Sequence, residues 1–279
     1  MAVHQTFAAK VRLARLHRHG DGRLLVVPLD HSVADGPVAA GQSIDPLVGQ
    51  LARNGVDAVV LHKGRLRSLQ PGWFTRTSLI VHLSASTRHA PDPDAKYLVT
   101  DVETAIRLGA DAVSVHVNLG SLDERSQIAD FAAVADTCAQ WNMPLLAMIY
   151  PRGPQITDPA DAELLAHAAS LAGDVGADIV KLPRPRTAAE TEDLVRSSPV
   201  PVITAGGPRG TAEDVLSGVS EVLRAGAAGV AMGRNIFAAP DPGNMARRVS
   251  DLVHSPLLRP RGPAGLSGAG AGFRPGDWN

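Results

Sequence analysis

The chain runs to 279 residues, with 44% hydrophobic side chains, 20% charged ones and a formal net charge of -1. That balance belongs to a globular protein with a sizeable core, and it leaves no global field to draw in nucleic acid or an anionic membrane. A single cysteine, Cys138, excludes an intramolecular disulfide and suits a reducing cytoplasm; its place in an apolar helical stretch reads as packing.

Residues 6–18 open the chain with a helical pattern in which basic residues break up the apolar steps. This is not a signal peptide, and no later apolar run is long enough to span a membrane, so a soluble protein is expected. The helix is expected to cap the bottom of the fold. From there, short β-branched runs alternate with amphipathic stretches. The strands read RLLVVPLD at 23–30, DAVVLHKG at 57–64, SLIVHLS at 78–84 and DAVSVHVN at 111–118. Four more follow: PLLAMIYP at 144–151, DIVKLP at 178–183, PVITAGG at 201–207 and AGVAMGR at 228–234. Several intervening helices close on Gly, then Ala or Val, then Asp, which marks a helix that stops and feeds straight into a strand. Nearly continuous apolar strands separated by helices imply a parallel sheet covered on its outer face. Eight such units in this length imply a closed (β/α)8 TIM barrel. An open doubly wound sheet usually has fewer units and a Gly-rich first turn, which is absent here. The barrel is assigned to residues 1–255 as one domain. Residues 256–279, rich in Gly and Pro, are expected to form a disordered tail.

Chemistry in such barrels sits at the C-terminal strand ends, where the loops converge on one mouth. In chain order these ends supply Asp30-His31, His62-Lys63, His82, His116 and Asn118, and Tyr150-Pro151-Arg152. The last three supply Lys181, Gly206-Gly207 and Gly233-Arg234. The two glycine turns follow the seventh and eighth strands, where these barrels often hold a phosphate. Glycine lets backbone N–H groups approach the anion, and Arg234 can grip it with two hydrogen bonds. Lysine is scarce, at Lys10, Lys63, Lys96 and Lys181, yet one ends an apolar strand at Lys181. From that stretch alone a snorkelling side chain is the simpler reading. The strand-end company favours a nucleophile instead, since an amine attacks a carbonyl when low-dielectric surroundings favour its neutral form. Asp30 can act as base and Tyr150 as acid or shuttle. Lys63 is a rival amine, read as a charge that pairs with Asp30 or with a substrate anion.

Metal catalysis is the competing class. His31, His62, His82 and His116 fall near the ends of four successive strands, and three would serve an open zinc site. Strand one, however, supplies DHS and not His-x-His. The chain's own His-x-His, His17 to His19, precedes the barrel, so no metal ligand is assigned.

Six motifs in order, VVPLDHSVADGP, DAVVLHKGRLR, LLAMIYPRGP, ADIVKLP, TAGGP and GVAMGRNIF, closely resemble the class I aldolases of the archaeal and bacterial type. That family includes fructose-bisphosphate aldolases and 2-amino-3,7-dideoxy-D-threo-hept-6-ulosonate synthase, and the match covers nearly all of residues 20–250. The resemblance implies Schiff-base catalysis by Lys181, with Asp30 as base and Tyr150 as proton donor. It implies substrate phosphate at Gly206, Gly207, Gly233 and Arg234, and substrate contacts from His31, Lys63 and Arg152. No cofactor is implied. The partners implied are a phosphorylated ketose donor, an aldehyde acceptor and further copies of the chain, in the cytoplasm. Ser32 stands where the family commonly has Gly, and LPRP after the lysine strand is also a departure; both lie near the mouth and bear on the acceptor. LDHSVADGP and LHKG resemble the heptulosonate synthase branch. Its actinomycete members join L-aspartate 4-semialdehyde to dihydroxyacetone phosphate on the way to 3-amino-4-hydroxybenzoate. The alternatives are the archaeal heptulosonate reaction with a deoxyketohexose phosphate donor, fructose-bisphosphate cleavage, a thiolase-like relative, and a non-catalytic phosphosugar-binding barrel.

Overall fold

The computed structural model describes residues 6–38 and 43–258. Among the described residues ten strands form: β1 (Leu24–Pro28), β2 (Ala58–Leu61), β3 (Ser78–His82), β4 (Ser84–Ala85), β5 (Tyr97–Leu98), β6 (Ala112–Leu119), β7 (Leu145–Pro151), β8 (Ile179–Leu182), β9 (Val202–Ala205) and β10 (Gly229–Ala231). Eight of them close into a barrel in the order β1-β2-β3-β6-β7-β8-β9-β10 and back to β1, every pair parallel. They coincide with the eight strands expected from the sequence. The antiparallel pair β4–β5, outside the barrel, has no counterpart in that reading.

The helices are α1 (Phe7–Leu16), α2 (His31–Ala34), α3 (Asp45–Arg53), α4 (Val102–Arg107), α5 (Glu124–Trp141), α6 (Ala162–Val175), α7 (Ala188–Ser197), α8 (Ala212–Arg224), α9 (Arg234–Phe237) and α10 (Pro242–Val253). Their starts follow ordinary capping chemistry. Thr187 and Thr211 each form a capping box, with Glu190 and Asp214 respectively, satisfying N–H groups that have no partner inside the helix. The stop read at the end of α6 is Gly176, which caps it with φ of 109°.

Strand period 2 divides the core in two. Leu25, Val27, Leu61, Val81, Val180 and Leu182 point outward into the layer shared with the helices. Leu24, Val26, Val60, Ile80, Met148 and Ile179 point inward and fill the barrel. Leu13 and Leu16 of α1 join that inner cluster and close the bottom, as the N-terminal pattern predicts. Chain packing continues past residue 255 to Leu258, which is buried and whose carbonyl accepts from Arg23. The rest of the expected tail, 259–279, lies outside the described residues.

The aspartates that follow the helix stops also have a use. Asp57, Asp111 and Asp178 accept the backbone N–H of Leu25 (2.7 Å), Leu79 (3.1 Å) and Leu145 (2.9 Å) on the neighbouring strand. Each satisfies a donor at the barrel's lower rim. Asp57 is fully buried and is shared by His19 (2.8 Å) and His254 (3.1 Å), while His254 Nδ1 also meets Asp21 (2.8 Å). Burial disfavours charge on His254, but Asp57 and Asp21 outweigh it and raise its pKa above the ordinary value. A raised folded-state pKa contributes stability that is complete below the unfolded imidazole value and is lost as pH rises through the folded one. The thermal midpoint is therefore expected to fall as pH rises above the ordinary imidazole value of about 6.5, with a flatter profile for His254→Asn. An equal slope in both proteins, followed by scanning fluorimetry, would remove this role.

Candidate active site

The inward parity that fills the barrel continues, one step higher, into the mouth. Past Pro28 it presents Asp30; past Val60, His62; past Ile80, His82; past Met148, Tyr150; past Ile179, Lys181; past Ala231, Gly233. All six line a cavity of about 970 Å³, at the large end of small-ligand sites.

Lys181 is 6% exposed. Its Nζ lies 3.9 Å from Met148 Sδ and 5.6 Å from the centre of the Tyr150 ring, and no carboxylate among the described residues comes within ion-pair distance. Lys181, Met148 and Tyr150 all line the cavity. Tyr150 also supports the Arg152 guanidinium at 4.9 Å and meets the His116 ring at 5.0 Å. Its hydroxyl has no protein hydrogen-bond partner among the described residues. Lys181 stands beside Met148 in the β7–β8 ladder, one inward step below Tyr150, so adjacent strands stack amine and phenol.

Asp30 ends β1. Its Oδ1 has His31 Nδ1 at 3.7 Å and its Oδ2 has His82 Nε2 at 3.7 Å, both beyond hydrogen-bond length. Burial works against its ionisation, but the charges of His82, His31, Lys181 and His62 hold the carboxyl down at about 2. Burial in turn takes His82 down to about 4, against the pull of Asp30. Burial likewise lowers His31 and His62, and takes His116 well down. At neutral pH the site thus holds an ionised carboxylate with no donor bound to it, among neutral imidazoles. That is the condition of an available base.

The glycine turns form the stretch of wall between Lys181 and Asp30, since β9 and β10 join β8 to β1. Gly207 has φ of 70° and open space where a side chain would begin, so its backbone faces the cavity unshielded. At Gly233 a Cβ would come within 2.9 Å of both the Pro28 carbonyl and the His31 ring, so only glycine allows this approach. Asn235, which the sequence reading passes over, is buried and donates to Gly206 O and Pro208 O, each at 3.0 Å, locking the two turns together. Arg234 beside it is exposed and lines the cavity.

One expected contact is corrected. Lys63 is exposed and donates to the Val99 carbonyl at 2.7 Å; among the described residues it pairs with no carboxylate, and it is not part of the cavity wall. The chain turns into a 3-10 helix at Lys63, which carries the side chain outward. The lysine in the wall is Lys96, from the loop before β5. No strand-end rule finds it, because β4 and β5 fold back over the mouth from outside the barrel.

The four mouth histidines also part company. His62 meets His82 edge to face at 5.3 Å, His116 bonds Asn118 at 2.9 Å, and His31 packs on Phe237. Among the described residues, the group close enough to hold a metal ion is His19, Asp57 and His254, at the barrel's other end. Cys138 is inert, since burial pushes its thiol up to about 12.

Residues 24–239 match the model of the DeoC/LacD family aldolase. The chain belongs to that aldolase family. A curated relative, the 2-amino-4,5-dihydroxy-6-oxo-7-(phosphonooxy)heptanoate synthase of Streptomyces griseus, is 58% identical to the aldolase over 97% of this chain and 100% of its own. The 2-amino-3,7-dideoxy-D-threo-hept-6-ulosonate synthase 1 of Archaeoglobus fulgidus is 39% identical over 87% of this chain and 90% of its own. Among solved structures, an archaeal fructose-1,6-bisphosphate aldolase with its catalytic lysine bound to a carbinolamine intermediate superposes with a TM-score of 0.79. It is 28% identical and covers 88% of this chain and 99% of its own. The aldolase is a carbon–carbon bond-forming enzyme of the lyase type. Among the described residues, no helix is long and apolar enough to cross a membrane.

Proposed function

We propose that this aldolase joins dihydroxyacetone phosphate to L-aspartate 4-semialdehyde, giving 2-amino-4,5-dihydroxy-6-oxo-7-(phosphonooxy)heptanoate, through a Schiff base on Lys181. The observation that carries the reading is the buried Lys181 amine, free of any acid partner, facing the cavity beside Tyr150 and Asp30. The extent of identity to the Streptomyces griseus synthase supports the choice of reaction.

Lys181 Nζ attacks the donor ketone carbon to form a carbinolamine, and Tyr150 gives the proton with which hydroxide leaves as water. The resulting iminium withdraws electrons from the adjacent hydroxymethyl carbon, whose proton Asp30 removes. The enamine then attacks the acceptor aldehyde carbon, forming the C4–C5 bond of the product, and the aldehyde oxygen takes up a proton. Water returns to the iminium carbon, freeing the C6 ketone and Lys181. Water lost in the first stage is regained in the last, so no oxidant or reductant is needed. The donor phosphate sits on the Gly206–Gly207 and Gly233–Arg234 turns.

The test is a product assay with L-aspartate 4-semialdehyde, glyceraldehyde 3-phosphate and glycolaldehyde as acceptors. The first is expected to give a kcat/KM about tenfold or more above the others. A preference for glyceraldehyde 3-phosphate would replace this acceptor. On the donor side, Arg234→Ala deletes a charge-assisted contact of about 1.5–3 kcal/mol, so the donor KM should rise about tenfold or more. An unchanged donor KM in a folded variant would place the phosphate elsewhere.

A further inference from the structure

Six cationic side chains line the cavity: Lys96, Arg152, Lys181, Arg184, Arg186 and Arg234. Arg184 is ion-paired with Glu221 and Arg186 with Asp158. In the proposed reaction Lys181 takes the ketone and Arg234 the phosphate. That leaves Lys96 and Arg152, neither with a carboxylate within ion-pair distance among the described residues. Two such cations facing one cavity call for an anion. The donor has only one, and it is held elsewhere.

The setting of Lys96 is built for the purpose. β4 and β5 pair Ala85 with Tyr97, so the next positions outward, Ser86 and Lys96, face each other across the strands. Lys96 Nζ donates to Ser86 Oγ and to Pro93 O at 3.3 Å, and Ser86 Oγ in turn donates to Pro93 O at 2.6 Å. An ammonium has three donors, so one remains for a ligand. The loop is anchored through Asp94 O, which accepts from Asn118 Nδ2 at 2.8 Å and Gln127 Nε2 at 3.0 Å. Asn118 is the ladder partner of Tyr150, so Lys96 is fixed relative to the reacting centre. Burial, and after it the charge of Arg152, lowers the Lys96 pKa, while Asp94, Asp30 and Asp35 pull the other way. Both cations line the one cavity, where an anion would relieve the charge of each.

We infer that Lys96, with Arg152, binds the α-carboxylate of the aldehyde acceptor, and that this end of the cavity selects a free α-amino acid. The inference rests on the proposed reaction. In its product the C1 carboxylate and the C7 phosphate extend in opposite directions from the C6 ketone held by Lys181, so two separate anion sites are required. Asp94 and Asp35 line the same cavity and supply the negative charge that an α-ammonium needs.

The experiment compares kcat/KM for L-aspartate 4-semialdehyde and for butanal, its counterpart without either charge, at saturating dihydroxyacetone phosphate. Lys96→Met is expected to lower the ratio of the two about tenfold, and Lys96→Arg to restore most of it. Loss of loop structure would depress both acceptors and leave the ratio as it was, as would a Lys96 with no acceptor contact; an unaltered ratio overturns the inference. A wild-type enzyme that exchanges donor protons and accepts butanal but not the semialdehyde would overturn the proposed reaction itself, a distinct result.

Discussion

Borohydride added with dihydroxyacetone phosphate is expected to inactivate the enzyme irreversibly and to leave the mass of the reduced adduct on the peptide that holds Lys181. Lys181→Ala should neither trap nor turn over, with kcat down by roughly 10⁴-fold or more, since the proposed iminium forms on that amine. The substitution removes a side chain that makes no ion pair, so the fold should survive it, and a circular dichroism spectrum will show whether it does. Label on Lys96, the other cavity lysine, would transfer the nucleophile's role there. Retained activity in Lys181→Ala would end the Schiff-base reading.

The second large effect separates the two proton carriers. Tyr150→Phe keeps the ring on which Lys181, Arg152 and His116 pack and deletes a hydroxyl that has no protein partner among the described residues, so stability should change little. If that hydroxyl protonates the departing oxygen of the carbinolamine, kcat falls by roughly 10²–10⁴-fold and borohydride trapping slows with it. Asp30→Asn should behave differently. The carboxylate, held near 2 and ionised at neutral pH, takes the carbon-bound proton only after the iminium exists. Trapping should therefore persist in Asp30→Asn while exchange of the donor proton with deuterated water nearly stops. Normal trapping by Tyr150→Phe together with failure to trap by Asp30→Asn would require the two roles to be exchanged.

The positions that were legible in the sequence share one physical property. Asp30, His62, His82, Tyr150 and Lys181 sit on strands at the parity that also fills the barrel, so a period of 2 and a strand end suffice to find them. The glycine turns were legible for a related reason, because their place after the last two barrel strands follows from topology. Lys63 occupied a strand-end position too and was misplaced, since a 3-10 turn begins at that residue and periodicity ends there. Lys96 and Asn235 follow neither rule. Lys96 is brought in by the excursion between β3 and β6, and Asn235 matters through two carbonyls 27 and 29 positions away in the chain.

By itself, then, the sequence determined the barrel and the gathering of an amine, a phenol, a carboxylate and two glycine turns at one mouth, because local periodicity and a closed topology place strand residues without further information. Only the tertiary structure decided which lysines face the cavity, that the mouth histidines stay neutral, and that the ligand-like cluster of His19, Asp57 and His254 belongs to the bottom rim. Those outcomes depend on burial, and on charges brought together by loops whose paths no local pattern encodes.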